Sequence, residues 1–473
     1  MSRILFICPT VRDYRELRAL AYRGDCYEFH DYATSALESM VSGDAPTGIR
    51  IADPEREIER ILRRFRATPL DGVASTDDYP GSALASIVAR KLGLPCVSPA
   101  ASLLCQHKYH SRHAQRATVP EATPAFELIS TATTSAAPSP FLSLSGPASL
   151  DYPVFIKPVK SFFSVGASRV DTPATLATAL RVATLPQPFF APFEKLLRQH
   201  CRLDMAGHVL AEALLEGVQV TLEGYANGGE IHVLGVVDSL MYPGTKSFQR
   251  FEYPSRLPLP IQQRMAEVAR RTMSHVGYDA GLFNIEMMYD AQSDSVAIIE
   301  INPRMSSQFA DLFEKVDGFN TYSILLDLAV GRAPRPSWRN GNYAVAASWA
   351  LRSFENLRAL QVPTLADLAS VHAVHPDARI EILTSPGRKL SQEMQDGGSY
   401  RYAVINVGGR DDADLRGCLR DCLARLPFIF EPVRDRRAAG SQPDARRSVP
   451  RRSATQWAGR YLSPDVDAPQ FQR

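Results

Sequence analysis

Hydrophobic and polar positions follow two different periods along the chain, and these predict two kinds of element. The run ALASIVARKLG repeats its apolar residues at helical spacing and ends at Gly93, a common helix stop. Short apolar runs separated by polar segments predict buried strands near the N-terminus, at 3–8, 27–32, 71–76 and 94–99. Strands that alternate with helices over about 100 residues predict an open α/β sheet.

From residue 106 the strands become longer. Strands are predicted at 124–130, 152–159, 209–216, 219–226 and 230–239. The turn Asn227-Gly228-Gly229 predicts a hairpin between the last two. Residues 260–277 predict an amphipathic helix, with one face made of Met265, Val268, Ala269, Thr272, Met273 and Val276. Further strands at 343–351, 379–383 and 400–407 and a helix at 413–426 predict a separate α+β unit.

Composition narrows the class of protein. Hydrophobic residues at 45% and charged residues at 22% are typical of a soluble globular protein, and no apolar run approaches the ~18 residues of a membrane span. The N-terminus MSRILFICPT predicts a buried strand rather than a signal peptide. Seven scattered cysteines without a CxxC pair favour a reducing cytosol over disulfides or zinc. We therefore expect a cytoplasmic protein.

Two segments have loop-like composition. Residues 130–150 are rich in Ser, Thr, Ala and Pro and predict a flexible loop. Residues 434–473 contain nine Arg and few aromatic residues and predict a disordered tail, either a solvating segment or an RNA-binding arm. The basic charge of the chain comes from this tail, so the folded body gives no electrostatic reason to expect nucleic acid.

The segments GLFNIEMMYD and VAIIEINPR flank a polar turn and predict a hairpin. Symmetry about Ser293 places Glu286 opposite Glu300, with Cβ atoms about 5 Å apart. Two carboxylates in an otherwise apolar hairpin need a cation, and strand alternation puts Asn302 on the same face. This all-oxygen ligand set suits Mg²⁺. Arg304 follows, where a guanidinium can reach a phosphoryl group or hold a carboxylate. The alternative is that both glutamates face solvent.

A second candidate site lies upstream, in VFIKPVKSFFSVG. Lys157 ends an apolar strand, and a loop containing Ser164 closes on Gly166, which would let backbone N–H groups approach a polyphosphate. Lys160 is either a second phosphate ligand or a solvated side chain. The chain contains neither GxxxxGK[ST] nor GxGxxG, so no P-loop or dinucleotide fingerprint competes.

Together these residues resemble the ATP-grasp superfamily, which includes D-alanine–D-alanine ligase, carbamoyl-phosphate synthetase and biotin carboxylase. The resemblance covers residues 1–433 and implies an α/β and α+β ATP-grasp fold. The domains it implies are a pre-ATP-grasp α/β domain at 1–105, lobe A with the phosphate loop at 106–210, lobe B with the metal site at 211–335 and a C-terminal α+β unit at 336–433, before the tail at 434–473.

The resemblance also assigns roles to residues. The family's two phosphate-binding lysines match Lys108 and Lys157, and its flexible loop over the triphosphate matches 161–166, with Ser164 and Gly166. Glu212 matches the glutamate whose neighbourhood, including backbone near Leu214, meets the adenine edge. Gln219 replaces the ribose-binding glutamate, and its amide can still bond a hydroxyl. The remaining matches are the metal ligands Glu286, Glu300 and Asn302 and the catalytic Arg304.

The implied reaction uses ATP with Mg²⁺ or Mn²⁺ to turn a carboxylate into an acyl phosphate, which an amine then attacks. We therefore expect small-molecule carboxylate and amine substrates, as in an amino-acid or peptide ligase. Dimers are common in the family, so the resemblance leaves a homodimer as one option and the oligomeric state open. A non-catalytic ATP-binding regulatory protein and a kinase or carboxylase variant are the alternatives. Gln308 stands where biotin carboxylase has a glutamate base, which disfavours bicarbonate.

Two regions are candidates for substrate contact. Lys246 and Arg250 can bind a substrate carboxylate, or they belong to an ordinary surface loop. Asp77 and Asp78 end a strand at the edge where α/β sheets bind ligands, or they cap the following helix.

Overall fold

The computed structural model describes residues 1–32, 52–129, 150–162, 164–185, 187–205, 207, 209–393, 398–433 and 452–453. The predicted flexible loop, apart from Leu150, and the predicted tail, apart from 452–453, lie outside these residues. The chain forms two compact units. The first comprises Met1–Asp238, Pro254–Ala310 and Phe319–Trp338, and the second Ser239–Tyr253, Asp311–Gly318 and Arg339–Arg473.

The strands in chain order are β1 Arg3–Ile7, β2 Cys26–His30, β3 Gly72–Ala74, β4 Phe126–Ile129, β5 Val154–Pro158, β6 Ser168–Val170, β7 Val209–Ala213, β8 Val218–Asn227, β9 Glu230–Met241, β10 Phe248–Tyr253, β11 Gly281–Asp290, β12 Ser295–Asn302, β13 Val345–Ser353, β14 Leu357–Gln361, β15 Arg379–Ile382, β16 Tyr400–Gly409, β17 Ile429–Pro432 and β18 Arg452–Ser453. The α-helices are α1 Val11–Ala19, α2 Pro54–Arg64, α3 Gly81–Lys91, α4 Pro99–Gln106, α5 Lys108–Thr118, α6 Pro173–Ala183, α7 Gln187–Cys201, α8 Leu259–His275, α9 Ala310–Asp317, α10 Thr321–Ala329, α11 Leu365–His372 and α12 Asp412–Arg425.

The first unit begins with a small parallel sheet. Strand β1 pairs in parallel with both β2 and β3, in the order β2-β1-β3. Its buried residues pack against helices α2 and α3 in one hydrophobic core. The predicted open α/β sheet is therefore confirmed.

The predicted strand at 94–99 is wrong. Residues 94–98 form no strand, and helix α4 begins at Pro99. Pro95 has no N–H to donate to a sheet, and the Ser98 side chain accepts a hydrogen bond from the Ala101 N–H, which caps α4. Apolar content alone suggested the strand, whereas proline and capping chemistry decided the structure.

Two antiparallel sheets complete the first unit. One has the strand order β4-β7-β5-β6, and helix α6 packs against it. In the other, β12, β11, β8 and β9 are neighbours in that order. Helix α8 lies under the apolar face of the hairpin, with Met265, Val268 and Met273 in the same core as Ile285 and Ile301. This confirms the predicted amphipathic helix and places the apolar alternate residues of the hairpin inwards, so its polar residues line the opposite face.

The second unit is an α+β structure, as expected. Strands β10, β13, β16 and β15 are antiparallel neighbours, and β14 pairs with β17, which also pairs with β18. Helix α12 packs on this unit's core through Leu415, Leu419 and Cys422. Among the described residues, no helix has the length and apolar character needed to cross a membrane.

Candidate active site

Strands β11 and β12 form the hairpin that carries the predicted metal ligands, called here the metal hairpin, and β12 is its metal strand. At its open end the pairing is the one that symmetry about Ser293 predicts. Glu286 pairs with Glu300, and Asn284 pairs with Asn302. A β-bulge follows, because Met287 pairs with Ile298 and leaves one extra residue, Ile299, on β12. The opposed carboxylates are thus confirmed as a structural fact, and their role as metal ligands stays a prediction.

Burial and mutual repulsion both disfavour the charged form of the opposed carboxylates. Burial and, after it, the neighbouring Glu300 carboxylate raise the pKa of Glu286. Arg304, Lys108 and the Asn302 amide oppose them, and the net pKa of Glu286 is about 7. The Gln219 amide donates to Glu286 Oε2 at 3.0 Å. Like charges forced together need positive charge nearby.

Two lysines contact the hairpin or a residue next to it. Lys108 is the first residue of α5, and its Nζ lies 2.7 Å from Glu300 Oε1 and donates to the Ser161 carbonyl at 3.2 Å. Lys157, near the end of β5, has its Nζ 2.7 Å from Glu212 Oε2 and 3.4 Å from the Ile299 carbonyl oxygen. The structure therefore brings both predicted phosphate lysines to the hairpin.

Arg112 is a central residue of this cluster that the sequence did not indicate. Its Nε and Nη2 donate to the two Glu212 oxygens at 2.7 and 3.2 Å, and Nη2 also donates to the Ile299 carbonyl at 2.8 Å. Burial alone would raise the pKa of Glu212, but Arg112 and Lys157 outweigh it and lower that pKa to about 2. The Glu212 side chain is thus engaged in holding two cations, and Leu214 follows at the end of β7 as the chain crosses to β8.

The loop after β5 is held by a buried ion pair. Lys160 is 1% exposed, its Nζ lies 2.9 Å from Asp78 Oδ2, and it sits 5.1 Å from the Tyr79 ring centroid. Burial would raise the pKa of Asp78, but Lys160 and Arg304 together lower it. Lys160 is therefore not a solvated side chain.

Asp77 takes the capping role that the sequence left open. Its Oδ2 accepts a hydrogen bond from the Gly81 N–H at 2.6 Å, at the start of α3. Of the two aspartates that follow β3, Asp77 therefore caps helix α3 and Asp78 forms the ion pair with Lys160.

The loop itself turns through two left-handed residues. Ser164 has φ 56° and Gly166 has φ 75°. A Cβ at Gly166 would lie 2.8 Å from Pro158 Cγ and 3.2 Å from the Val182 carbonyl oxygen, so only glycine fits there. The Ala167 N–H donates to the Ser164 carbonyl at 3.0 Å, which closes the turn.

Arg304 lies directly after the metal strand. Its backbone N–H donates to the Asn302 carbonyl at 2.8 Å, and its charge lowers the pKa of Asp77, Glu223 and Glu286 against burial effects that raise them. It is a positive charge that all three carboxyl groups share, and its catalytic role stays a prediction.

The two substrate candidates belong to the second unit. Arg250 is 8% exposed, and its Nε donates to Glu252 Oε1 at 2.7 Å, whereas Lys246 is exposed. Arg250 is thus part of a buried polar network within that unit.

The donors present fit Mg²⁺ or Mn²⁺. Glu286 and Glu300 supply carboxylate oxygens and Asn302 an amide oxygen from one polar face, which is the hard-oxygen chemistry those ions prefer. Across the described residues, no group of three or more His, Cys, Asp or Glu side chains is arranged to hold a metal. The candidate centre therefore rests on two carboxylates and an amide and leaves coordination positions for phosphate oxygens.

Parts of the chain are similar to known proteins. The family described as the ATP-grasp domain matches residues 150–312. A 69-residue segment is 41% identical to the carbamoyl phosphate synthase large chain of Pseudothermotoga lettingae, which is 15% of this chain but only 6% of that relative.

Solved structures are similar over most of the chain. An L-amino acid ligase from Bacillus licheniformis has a TM-score of 0.65 at 16% identity, covering 91% of this chain and 99% of that one. A biotin carboxylase from Campylobacter jejuni, solved as a β,γ-ATP complex, has a TM-score of 0.60 at 14% identity, covering 91% and 92%. At these identities the likeness shows the fold. The chain therefore has the ATP-grasp fold, and residues 150–312 form its ATP-grasp domain.

Proposed function

We propose that this protein is an ATP-dependent, ADP-forming ligase that activates a carboxylate as an acyl phosphate for attack by an amine. The observation that carries the proposal is the opposed pair Glu286 and Glu300, with Lys108 held 2.7 Å from Glu300 and Lys157 held against the bulge of the same strand. Paired carboxylates beside buried lysines suit a metal–triphosphate complex.

Each residue then has a distinct task. Lys108 and Lys157 bind phosphate oxygens as point charges, and the turn at Ser164 to Gly166 offers backbone N–H groups to the same phosphates. Glu286, Glu300 and Asn302 would hold Mg²⁺ or Mn²⁺, and a bound ion would supply positive charge to neutralise the phosphoryl group.

Arg304 carries the catalytic part of the proposal. We assign its guanidinium to stabilising negative charge on the phosphoryl group and the acyl phosphate, because Arg304 follows the strand that carries Glu300 and Asn302. The γ-phosphoryl passes from ATP to the substrate carboxylate, ADP leaves, and the amine then displaces phosphate from the acyl carbon. Positioning and charge neutralisation suffice, and no protein nucleophile is needed.

The nucleotide contacts complete the proposal. Because the Glu212 carboxylate is engaged with Arg112 and Lys157, backbone groups near Leu214 are the ones we assign to the adenine edge. Gln219, whose amide donates to Glu286, also carries a carbonyl oxygen able to accept a ribose hydroxyl. Lys246 and Arg250 remain candidates for a substrate carboxylate.

An ADP-release assay over a panel of amino acids and small carboxylates, with and without hydroxylamine, tests the reaction. Hydroxamate formation marks an acyl phosphate. Glu300→Ala should lower turnover by about 1,000-fold, since a metal ion contributes several kcal/mol of charge stabilisation. The control Glu230→Ala removes an exposed glutamate at the start of β9 and should leave turnover unchanged.

Two results would overturn the proposal. The first is ATP binding without stimulation of ADP release by any substrate, which would favour a non-catalytic ATP-binding protein. The second is full turnover in the Glu300→Ala variant, which would remove the metal hairpin from the mechanism.

A further inference from the structure

Three polar side chains form a row across strands β8, β11 and β12. Glu223 pairs with Asn284 across β8 and β11, and Asn284 pairs with Asn302 across β11 and β12. Their relative exposures are 0, 3 and 5%, so the row is almost fully buried. Asn284 Nδ2 donates to Glu223 Oε2 at 2.8 Å, and Asn302 Nδ2 donates to Asn284 Oδ1 at 3.2 Å.

The hydrogen bonds of this row have one consistent direction. Both Glu223 oxygens accept hydrogen bonds, one from Ser306 and one from Asn284, so the Asn284 NH₂ group faces Glu223. The Asn284 oxygen then faces Asn302, which must turn its own NH₂ group towards Asn284. The Asn302 oxygen, the only amide atom that binds a hard cation, is thereby kept out of the row's hydrogen bonds. Glu223, two strands away, thus acts through Asn284 on the orientation of the Asn302 amide, which also forms a hydrogen bond with Glu286.

The second oxygen of Glu223 binds the segment that follows β12 and contains Arg304, called here the arginine loop. Glu223 Oε1 accepts the backbone N–H of Ser306 at 2.8 Å, two residues after Arg304. Burial raises the pKa of Glu223, the hydrogen bonds from Asn284 and Ser306 lower it, and the net pKa is about 7. Both oxygens of one carboxylate are thus used, one towards the metal strand and one towards the arginine loop.

We propose that Glu223 is a positioning residue that orients the Asn302 amide towards the metal through Asn284 and fixes the loop that carries Arg304. The inference rests on the proposed function, because it assigns Asn302 to the metal. Glu223 itself is fully buried and touches no reacting atom. Outer partners of this kind typically change metal affinity by about 10- to 100-fold when they are lost.

The test uses the full chain and measures Mn²⁺ binding by electron paramagnetic resonance in the presence of a non-hydrolysable ATP analogue. Glu223→Gln places an NH₂ group against an N–H donor, and Asn284→Asp places a carboxylate against Glu223, so each single variant should weaken Mn²⁺ binding about 10- to 100-fold.

The double variant restores the network with reversed polarity. In Glu223→Gln/Asn284→Asp the new amide at 223 accepts from Ser306 and donates to the new carboxylate at 284, whose other oxygen accepts from Asn302. The number of charges is unchanged. We expect Mn²⁺ affinity within about threefold of the parent protein, because every donor again meets an acceptor.

Glu127→Gln is the matched control, since it removes a buried glutamate on β4, which pairs with β7 and not with the metal hairpin. It should bind Mn²⁺ like the parent. Parent-like binding in both single variants, or a double variant as weak as the singles, would overturn the role of Glu223. Failure of the parent protein itself to bind Mn²⁺ with nucleotide would instead refute the proposed function.

Discussion

Two buried cations share one buried carboxylate in the first unit. Arg112 and Lys157 both lie within 2.7 Å of a Glu212 oxygen, and the side chains of all three are at most 6% exposed. Taking charges out of water is costly, so each of them depends on its partners, and loss of one leaves the others uncompensated. The predicted phosphate lysine is therefore supported by residues from two other elements.

The Glu212 carboxylate gives a pH-dependent prediction. Its folded pKa of about 2 lies below the ordinary 4.5, so its stabilising contribution is fully present above pH 4.5 and is lost as pH falls towards 2. Glu212→Gln should lower the free energy of unfolding by about 3 kcal/mol at pH 7 and by progressively less below pH 4.5. Urea unfolding at pH 7, 5 and 3.5 measures this.

The control for that experiment is Glu194→Gln, which removes an exposed i,i+4 ion pair with Arg198. Its effect should stay within about 1 kcal/mol at every pH. A loss in Glu212→Gln that does not change between pH 7 and 3.5 would contradict the charge-pair explanation and indicate a packing effect.

At the scale of elements, the bulge at Ile299 connects strand β12 to a helix and a strand outside the hairpin. The extra residue, Ile299, turns its carbonyl to Arg112 and Lys157 instead of to the neighbouring strand. Strand β12 is thereby attached to helix α5 and strand β5 next to Glu300. The bulge thus links the strand of the proposed metal ligands to the elements that carry the proposed phosphate lysines.

The loop at 161–166, which we propose binds phosphate, gives a prediction about the size of the residue at Gly166. Gly166→Ala should weaken binding of an ATP analogue about tenfold, because the Cβ would meet Pro158 Cγ at 2.8 Å and displace the N–H donors that we propose for phosphate. Gly228→Ala is the control, with φ 63° and nothing within 4 Å of its Cβ, so it has the backbone strain without the clash. Isothermal calorimetry compares them, and equal affinities in the two variants would contradict the loop assignment.

Sequence periodicity predicted the strands and helices whose hydrophobic and polar positions alternate regularly. Alternation predicted β11, β12 and the pairing of Glu286 with Glu300, and helical spacing predicted α8. The bulge at Ile299 was not predicted, because no Gly or Pro marks it and a one-residue slip depends on tertiary partners. The helices α4 and α5, which bring Lys108 and Arg112 to the site, were also not predicted.

Long-range partners could not be predicted from spacing. Arg112 and Glu212 are 100 residues apart, and no periodicity connects them. Glu223 is a polar residue in an alternating strand, a pattern that normally means a solvent-facing position. It is 0% exposed, since two further strands supply Asn284 and Asn302 at the same level.

At the scale of the whole molecule, the proposed nucleotide and metal ligands all lie between Lys108 and Arg304, in the first unit. A chain truncated after residue 433 should therefore bind Mn²⁺ and an ATP analogue within about twofold of the full chain. It loses β18, which pairs with β17 at two positions. Calorimetry and electron paramagnetic resonance measure the two affinities, and a loss beyond tenfold would place part of the Arg-rich segment in the nucleotide site.

The guanidinium of Arg112 has a consequence for recombining this protein with its relatives. It joins residues contributed by α5, β7 and β12, so a chimaera with a crossover between positions 112 and 299 takes this cluster from two parents. Such hybrids would inherit mismatched charges unless both parents share the arrangement. Viable exchange points should therefore lie before α5 or after the metal strand, and the intervening segment should be inherited as a block.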